Sequence, residues 1–187
     1  MSILIILGIL LVLVLIIISI YNRLVRLRNN REQAFADIDV QLRQRHDLIP
    51  QLVSTVKGYM EHEKEVLTEI TAARSAAMQA GSIDEKIAAE GRLNQAMAGL
   101  KIAVEAYPDL KANQNFMQLQ EEISDIENKL AAARRFFNSA TRELNTAIEV
   151  FPANIFAGMF GFRREMMFDL GEEKREEMDQ TPEIKFK

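Results

Sequence analysis

Two histidines, His46 and His62, are the only imidazole side chains in this 187-residue sequence, and both lie among charged residues. The segment Arg43–Asp47 contains two arginines, a histidine and an aspartate, and His62 is the centre of Glu61–Glu63. Adjacent helical residues point about 100° apart, whereas metal ligands need a spacing of three or four. His62 also lacks the second histidine of the zinc-protease pattern H-E-x-x-H. We therefore predict no metal site and no catalytic histidine.

Other chemistries find equally little support in the sequence. The chain has no cysteine, which excludes disulfides and thiol nucleophiles. It has no G-x-S-x-G nucleophile elbow and no glycine-rich phosphate loop. A net charge of −4 argues against a general nucleic-acid-binding protein, which would carry a basic face. The sequence thus predicts no enzyme, no cofactor, no small-molecule substrate and no nucleic-acid partner.

Pro50 follows the charged segment directly and disturbs the helix that the surrounding residues favour. It has no backbone N–H to bond the carbonyl of His46, so a helix that continues through it should kink. Alternatively, Asp47 caps a new helix with Pro50 in its first turn. Under both alternatives the segment is a structural joint, and Arg45, Asp47 and Pro50 are candidates for contact with a neighbouring chain.

The N-terminus reads as a membrane anchor, residues 1–21. An apolar run from Ile3 to Ile20 would span about 27 Å as a helix, close to the hydrocarbon thickness of a bilayer. A cleaved signal peptide would carry its positive charges before the run, but here they follow it. The positive-inside rule then predicts a single-pass protein of the bacterial inner membrane, N-terminus out and the remainder cytoplasmic. The residues expected to contact membrane lipid include Ile3, Leu10, Leu15, Ile20, Arg23, Arg26 and Arg28.

The rest of the chain to residue 168 predicts an all-α bundle with long helices. Apolar residues follow a 3-4 spacing from Phe116 to Phe151, which indicates one long helix ended by Pro152. The same register extends over a first helix from the membrane to about Ala80. Between them, Ser82 and Glu85 form a capping-box pattern that opens a shorter helix ending near Tyr107–Leu110. Asn113 or Asn115 is expected to cap the final helix.

Arg45 and Glu63 occupy apolar positions of the first register. Because they are eighteen residues apart, about 27 Å along a helix, they cannot pair with each other. Each could extend to the bundle edge and stay hydrated. Alternatively, each forms a buried ion pair with another helix. The partners considered are Glu121, Glu122 and Arg134.

Phenylalanine and methionine are concentrated after Pro152, in a segment that either closes the open end of the bundle or binds a partner, another subunit or the bilayer. The interaction candidates here are Phe156, Phe160, Phe162 and Phe168. Residues 169–187 form an acidic tail that is expected to be disordered.

Long motifs in this sequence resemble the LemA family of bacterial proteins. They include AFADIDVQLRQRHDLIPQLVSTVKGYMEHE (34–63), the stretch from Tyr107 to Pro152, and FGFRREMMF (160–168). The resemblance implies an N-terminal anchor followed by an antiparallel four-helix up-and-down bundle, residues 22–168. It supplies no settled activity and no catalytic residues. The family more often has a proline and a tyrosine near Arg164–Met167, where this chain departs from the pattern.

Two functions are consistent with these features. The preferred hypothesis is a membrane-anchored, non-enzymatic helical scaffold that self-associates and organises proteins or lipid at the cytoplasmic face. The alternative is a monomeric adaptor or regulator that docks a separate membrane enzyme or protease. Heptad spacing serves contacts within and between chains alike, so the sequence leaves both open.

Overall fold

A computed structural model describes residues 1–60 and 62–168, and the predicted disordered tail at 169–187 lies outside the described residues. Every regular element within these ranges is a helix, so the predicted all-α class is confirmed. The antiparallel four-helix arrangement stays a prediction. The helices are α1 (Ser2–Lys57), α2 (Lys64–Gln79), α3 (Ile83–Val104), α4 (Pro108–Lys111), α5 (Gln114–Glu149) and α6 (Ala153–Ala157).

The chain divides into two compact units, each with its own apolar core. Unit 1 comprises Met1–Gln41 and Lys129–Met167, and unit 2 comprises Leu42–Asn128 together with Phe168. Helices α1 and α5 contribute residues to both units. The core of unit 1 includes Leu24, Leu27, Leu144, Ala147, Ala157 and Phe162. The core of unit 2 includes Ile49, Leu52, Ile70, Leu93, Leu100, Leu110 and Phe116.

Helix α1 runs without interruption for 56 residues, from the N-terminal apolar run into the core of unit 2. It is the one helix among residues 1–60 and 62–168 that is long and apolar enough to cross a membrane. Pro50 lies inside it, so of the two alternatives the helix continues through the proline, and no new helix begins at Asp47. The predicted continuity of this helix to about Ala80 was wrong, because α1 ends at Lys57 and the chain turns at Gly58–Met60. The helix that ends next to Ala80 is α2.

The break after Lys57 changes which residues face the core. Val56, the last buried residue of α1, keeps the predicted register, but Tyr59 is exposed and Met60 is buried instead. Glu63 is the half-buried N-cap residue of α2 rather than a seam residue of a continuing helix. A glycine at residue 58 weakens helix propensity there and is the local signal for the turn.

The connections around α3 follow the predicted capping. Ser82 Oγ accepts the Glu85 backbone N–H at 3.2 Å, and the Glu85 carboxylate accepts the Ser82 N–H at 3.1 Å, which completes the capping box. Asn113 Oδ1 accepts the Phe116 N–H at 3.1 Å at the start of α5. Helices α2 and α3 pack against each other across the short connection between them, residues 80–82.

Helix α5 carries the long apolar seam. The predicted positions from Phe116 to Ala147 are buried or half-buried, whereas Phe151 lies beyond the helix end at Glu149 and is exposed. Helix α6 follows Pro152, and residues 162–168 then continue without regular secondary structure. This last segment must find hydrogen-bond partners outside a helix or sheet, which makes its contacts informative.

Candidate functional site

The last part of unit 1, residues 151–167, packs beside the residues that immediately follow the apolar run of α1. The Tyr21 ring meets the rings of Phe160 and Phe162 edge-on, with centroids 5.1 and 6.2 Å apart. Ala157 and Phe162 are buried against Leu24 and Leu27. Edge-to-face aromatic pairs favour this geometry, so residues 158–162 are held level with the end of the apolar run.

Asn145 on α5 holds the irregular segment through its backbone. Its Oδ1 accepts the N–H of Glu165 at 2.8 Å, and its Nδ2 donates to the carbonyl oxygen of Glu165 at 3.0 Å. A side-chain amide can satisfy one donor and one acceptor in this way, as a neighbouring strand would. Asn145 is itself buried, so the pair of hydrogen bonds replaces water that the segment would otherwise need.

Arg31 on α1 fastens the same segment from the other side. Its guanidinium lies 3.2 Å from Glu165 Oε2 and donates a 3.2 Å hydrogen bond to the carbonyl oxygen of Met166. It also lies over the ring of Phe137, 4.9 Å from the centroid. Arg31 follows the apolar run in the sequence, as Arg23, Arg26 and Arg28 do. It is buried, however, and binds residues 165 and 166 of the chain.

Close in sequence to the segment that Asn145 and Arg31 bind, residues 151–160 expose large apolar side chains. Phe151 and Met159 are each 79% exposed, Ile155 is 56% exposed and Phe160 is 37% exposed. Of the sequence candidates, Phe156 is half-buried, and Phe162 and Phe168 are buried. Some aromatic side chains of the predicted interaction segment are therefore buried in the core, whereas others remain at the surface. We call Phe151, Ile155, Met159 and Phe160 the apolar tip.

A second polar cluster lies inside unit 2, on the charged segment that precedes Pro50. Arg45, 2% exposed, pairs with the Glu90 carboxylate, and Glu90 is itself 1% exposed. His46 Nε2 lies 2.7 Å from Glu90 Oε1, and Arg45 Nη1 donates to Asn94 Oδ1 at 2.8 Å. The expectation that Arg45 reaches solvent was wrong. Glu121 and Glu122 were the wrong candidate partners for Arg45, because Glu90 on α3 pairs with it.

The backbone carbonyl that loses its helical partner at Pro50 is hydrogen-bonded by a residue of another helix, α2. Arg74 on α2 donates from Nε to the carbonyl oxygen of His46 at 2.7 Å, the group that loses its helical partner at Pro50. Asp47, by contrast, is exposed, as is Pro50 itself. The donor to the carbonyl freed at Pro50 therefore comes from Arg74 on α2 and not from the charged segment itself. Arg45 and His46, however, belong to a buried set with Glu90.

Sequence reasoning missed Glu90, Asn94, Arg74, Asn145 and Glu165. Glu90 carried a usable signal, because it stands three residues from both Ile87 and Leu93, at a position where the buried face of α3 expects an apolar residue. The orphaned carbonyl of His46 likewise required a donor, although its source could not be read from the sequence. Asn145 and Glu165 gave no such signal, since one is an ordinary helical asparagine and the other is in an irregular segment.

His62 is exposed at the rim of an open groove in unit 2, with a volume of about 1080 Å³. Val53, Met60 and Leu67 contribute its apolar surface, and Lys57 and Lys64 also line it. Within residues 1–60 and 62–168, no three His, Asp or Glu side chains come close enough together to hold a metal ion. The groove therefore offers shape and positive charge, with no catalytic grouping among its described residues.

Residues 34–186 match the sequence model of the LemA family. The chain is 27% identical over 168 residues to Protein LemA of Metamycoplasma hominis, which covers 88% of this chain and 75% of that protein. It is 21% identical over 170 residues to Magnetosome protein MamQ of Magnetospirillum gryphiswaldense, covering 77% of this chain and 62% of the relative. Magnetosome protein MamQ 2 of Paramagnetospirillum magneticum is similar at 21% over 174 residues, with 79% and 64% covered. The chain thus spans slightly less than two thirds of these MamQ proteins.

Proposed function

This chain belongs to the LemA family, and we propose that it is a membrane-anchored, non-enzymatic helical scaffold that self-associates and organises proteins or lipid at the cytoplasmic face of the membrane. The observation that carries the proposal is the continuity of α1. The residues that would lie in the bilayer and Leu24 and Leu27 of the unit 1 core belong to one helix. A helix leaves no flexible linker between them, so unit 1 is held beside the membrane.

The use of the buried polar groups supports a structural role. Arg45 and His46 share one carboxylate, Arg74 compensates a proline, and Asn145 pairs with the backbone of residue 165. Each of these groups is committed to another part of the chain rather than directed into a cavity. Such a constellation fixes the register of helices and segments, which is a known use of buried polar pairs.

The apolar surface of the soluble helices supports self-association. Phe136 on α5 is 61% exposed and Ile102 on α3 is 75% exposed. Large apolar side chains with this exposure can be buried between two copies or against another protein. We propose that at least one of these positions lies in a contact between copies.

The particle mass of the full-length protein in native membrane patches tests the proposal. We expect particles of reproducible mass that contain several copies. Phe136→Ser and Ile102→Ser, made separately, should shift at least one distribution towards a single chain while circular dichroism stays unchanged, and Phe136→Leu is the matched apolar control. A lone chain in wild-type membranes would overturn self-association and favour the monomeric adaptor.

The proposed orientation can be measured separately, because the chain has no cysteine. Ser2→Cys and Lys57→Cys each introduce one thiol, at opposite ends of α1. In intact cells, a membrane-impermeant maleimide should label the first variant and should label the second only after permeabilisation. Labelling of Lys57→Cys in intact cells would contradict a cytoplasmic location of the soluble part.

A further inference from the structure

We propose that the apolar tip of unit 1 is a second membrane contact, which enters the interfacial region of the bilayer that α1 spans and is held there by arginines on anionic lipid headgroups. This inference deepens the proposed function and rests on the membrane anchoring stated there. It assigns to residues 151–164 a ligand class, the lipid surface, rather than a protein partner.

The height of the tip relative to the membrane follows from its contacts with α1. Tyr21 is the first residue after the apolar run, and its ring contacts Phe160 at 5.1 Å. If Ile3–Ile20 occupies the hydrocarbon, Tyr21 lies at the interface, where tyrosine is enriched in membrane proteins. Phe160, whose ring contacts that of Tyr21, must then lie at nearly the same depth in the membrane.

The chemistry of the tip matches that level. Phe151, Ile155 and Met159 recur every four residues and are exposed, while Ala153 and Ala157, which alternate with them, are buried. One side of the segment therefore completes the core of unit 1 and the other side is apolar without a protein covering in the described chain. Side chains of this type are stabilised at the boundary between headgroups and acyl chains.

Positive charge lies near the tip, both in the residues that follow it in the chain and in the part of α1 that the Tyr21 contact places beside it. Residues 21–31 and 150–168 together contain six arginines and one acidic residue, Glu165, which is already engaged by Arg31. Arg23, Arg26 and Arg28 are exposed after the apolar run, and Arg163 and Arg164 are exposed after the tip. Arg164 forms an ion pair at 3.7 Å with Glu149, and both side chains are exposed. Clusters of this kind attract the anionic lipids of a membrane surface.

These features favour lipid over a protein occupant. A second copy or a partner could cover apolar side chains at any height along unit 1, whereas only the bilayer is necessarily present at the level of Tyr21. The basic residues also stand next to the apolar ones, which is the arrangement of interfacial membrane segments. A partner protein would instead be expected to bring its own complementary surface, which is the alternative outcome of the test.

The absence of tryptophan from the sequence makes a direct depth measurement possible. Phe151→Trp and Met159→Trp place an indole at the most exposed tip positions. Phe136→Trp is the matched control, because residue 136 is also exposed in unit 1 but lies thirteen residues before the end of α5, about 20 Å along the helix. Full-length variants are placed one copy per lipid nanodisc, with bromine on the acyl chains at shallow or deep positions.

We expect blue-shifted emission for both tip variants and stronger quenching by shallow than by deep bromine. The Phe136→Trp control should show neither effect. Replacing phosphatidylcholine with a mixture containing phosphatidylglycerol should increase quenching of the tip. The double change Arg163→Gln and Arg164→Gln should remove that increase, and Arg135→Gln on α5, also exposed, should not.

The proposal would be overturned if tryptophan at both tip positions emitted at the wavelength of a water-exposed indole and was not quenched by bromine. Blue-shifted emission without quenching would overturn it too, because it would show that protein rather than lipid covers the tip. Single-copy nanodiscs remove self-association from the measurement. A failure of the lipid contact is therefore distinguishable from a failure of the scaffold proposal, which is tested by particle mass.

Discussion

Two buried arginines of α1, Arg31 and Arg45, show that the two units are stabilised internally in different ways. Arg45 in unit 2 binds a glutamate that is 1% exposed and that also contacts His46. Arg31 in unit 1 binds Glu165, whose side chain is 32% exposed, and a backbone carbonyl of the same irregular segment. The first arginine belongs to a desolvated helix-to-helix cluster, and the second fastens a loosely structured segment at the edge of solvent.

The difference between the two arginines indicates how strongly folding depends on each charge. A buried pair owes its importance to desolvation, because removal of either partner leaves a charge that water cannot reach. A pair with one third of its partner exposed is screened, so its loss is partly compensated by hydration. We therefore expect unit 2 to depend on its cluster for folding, and unit 1 to depend on its arginine for the order of one segment.

The largest expected effect is the loss of the Glu90 carboxylate. Glu90→Ala leaves Arg45 buried without its partner, and we expect the free energy of unfolding to fall by about 3–5 kcal/mol. Denaturant unfolding of the full-length protein in mild detergent, followed by circular dichroism, measures the change. Glu69→Ala, at an exposed position of α2, is the control and should change stability by less than about 0.5 kcal/mol.

Both members of the buried ion pair can also be replaced together. Arg45→Met combined with Glu90→Leu replaces the charged pair by apolar groups, and we expect this double variant to be more stable than Glu90→Ala. A double variant as unstable as the single one would show that the cluster contributes more than mutual neutralisation. An unchanged unfolding midpoint in Glu90→Ala would contradict the importance given to its burial.

The next effect concerns Arg31. Arg31→Met removes the ion pair to Glu165, the hydrogen bond to the Met166 carbonyl and the contact with Phe137, and we expect a loss of about 1–2 kcal/mol. Its diagnostic readout is local. Trypsin should cleave faster after the exposed Arg163 and Arg164, whereas Arg135→Gln should leave that rate unchanged. Equal cleavage rates in Arg31→Met and wild type would show that Asn145 alone orders the segment.

A smaller effect tests the compensation of Pro50. Arg74→Met removes the donor to the His46 carbonyl, and we expect a loss of about 0.5–1.5 kcal/mol, the contribution of a single hydrogen bond. In a Pro50→Ala background the alanine N–H can bond the same carbonyl, so the loss caused by Arg74→Met should shrink. Unfolding midpoints of the four proteins in this cycle give the coupling. Equal losses in both backgrounds would show that Arg74 acts independently of the proline.

The contrast between the units also explains what the sequence could predict. Periodicity located α5, and capping chemistry located the start of α3 at Ser82 and of α5 at Asn113, because both depend on near neighbours in the chain. The break at Gly58 was missed, since the apolar register continues through it and a single glycine is a weak signal against that pattern. Local patterns therefore located α3 and α5, and they missed the break between α1 and α2 and the short helices α4 and α6.

The functional residues divide along the same line. The apolar run and its following arginines were found because composition alone identifies them. The partner of Arg45 is forty-five residues away in sequence, and the backbone that binds Asn145 is twenty residues away. Such pairs depend on how helices pack, and no local pattern specifies which of several carboxylates or carbonyls will arrive. Glu90 at an apolar position was the one accessible indication.

The smallest expected effect is the pH dependence of the α3 cap. Hydrogen bonds from the backbone N–H groups of Gly81 and Ser82 hold the pKa of Glu85 below its ordinary value of 4.5. Because the folded-state pKa is lowered, the stabilisation is complete above the unfolded value and is lost as pH falls through the folded one. Glu85→Gln removes the charge, so the melting temperature of the wild type should exceed that of the variant at pH 7. The gap should close as the pH is lowered below 4.5, and a gap that stays constant over this range would mean that the cap acts through its hydrogen-bond geometry rather than its charge.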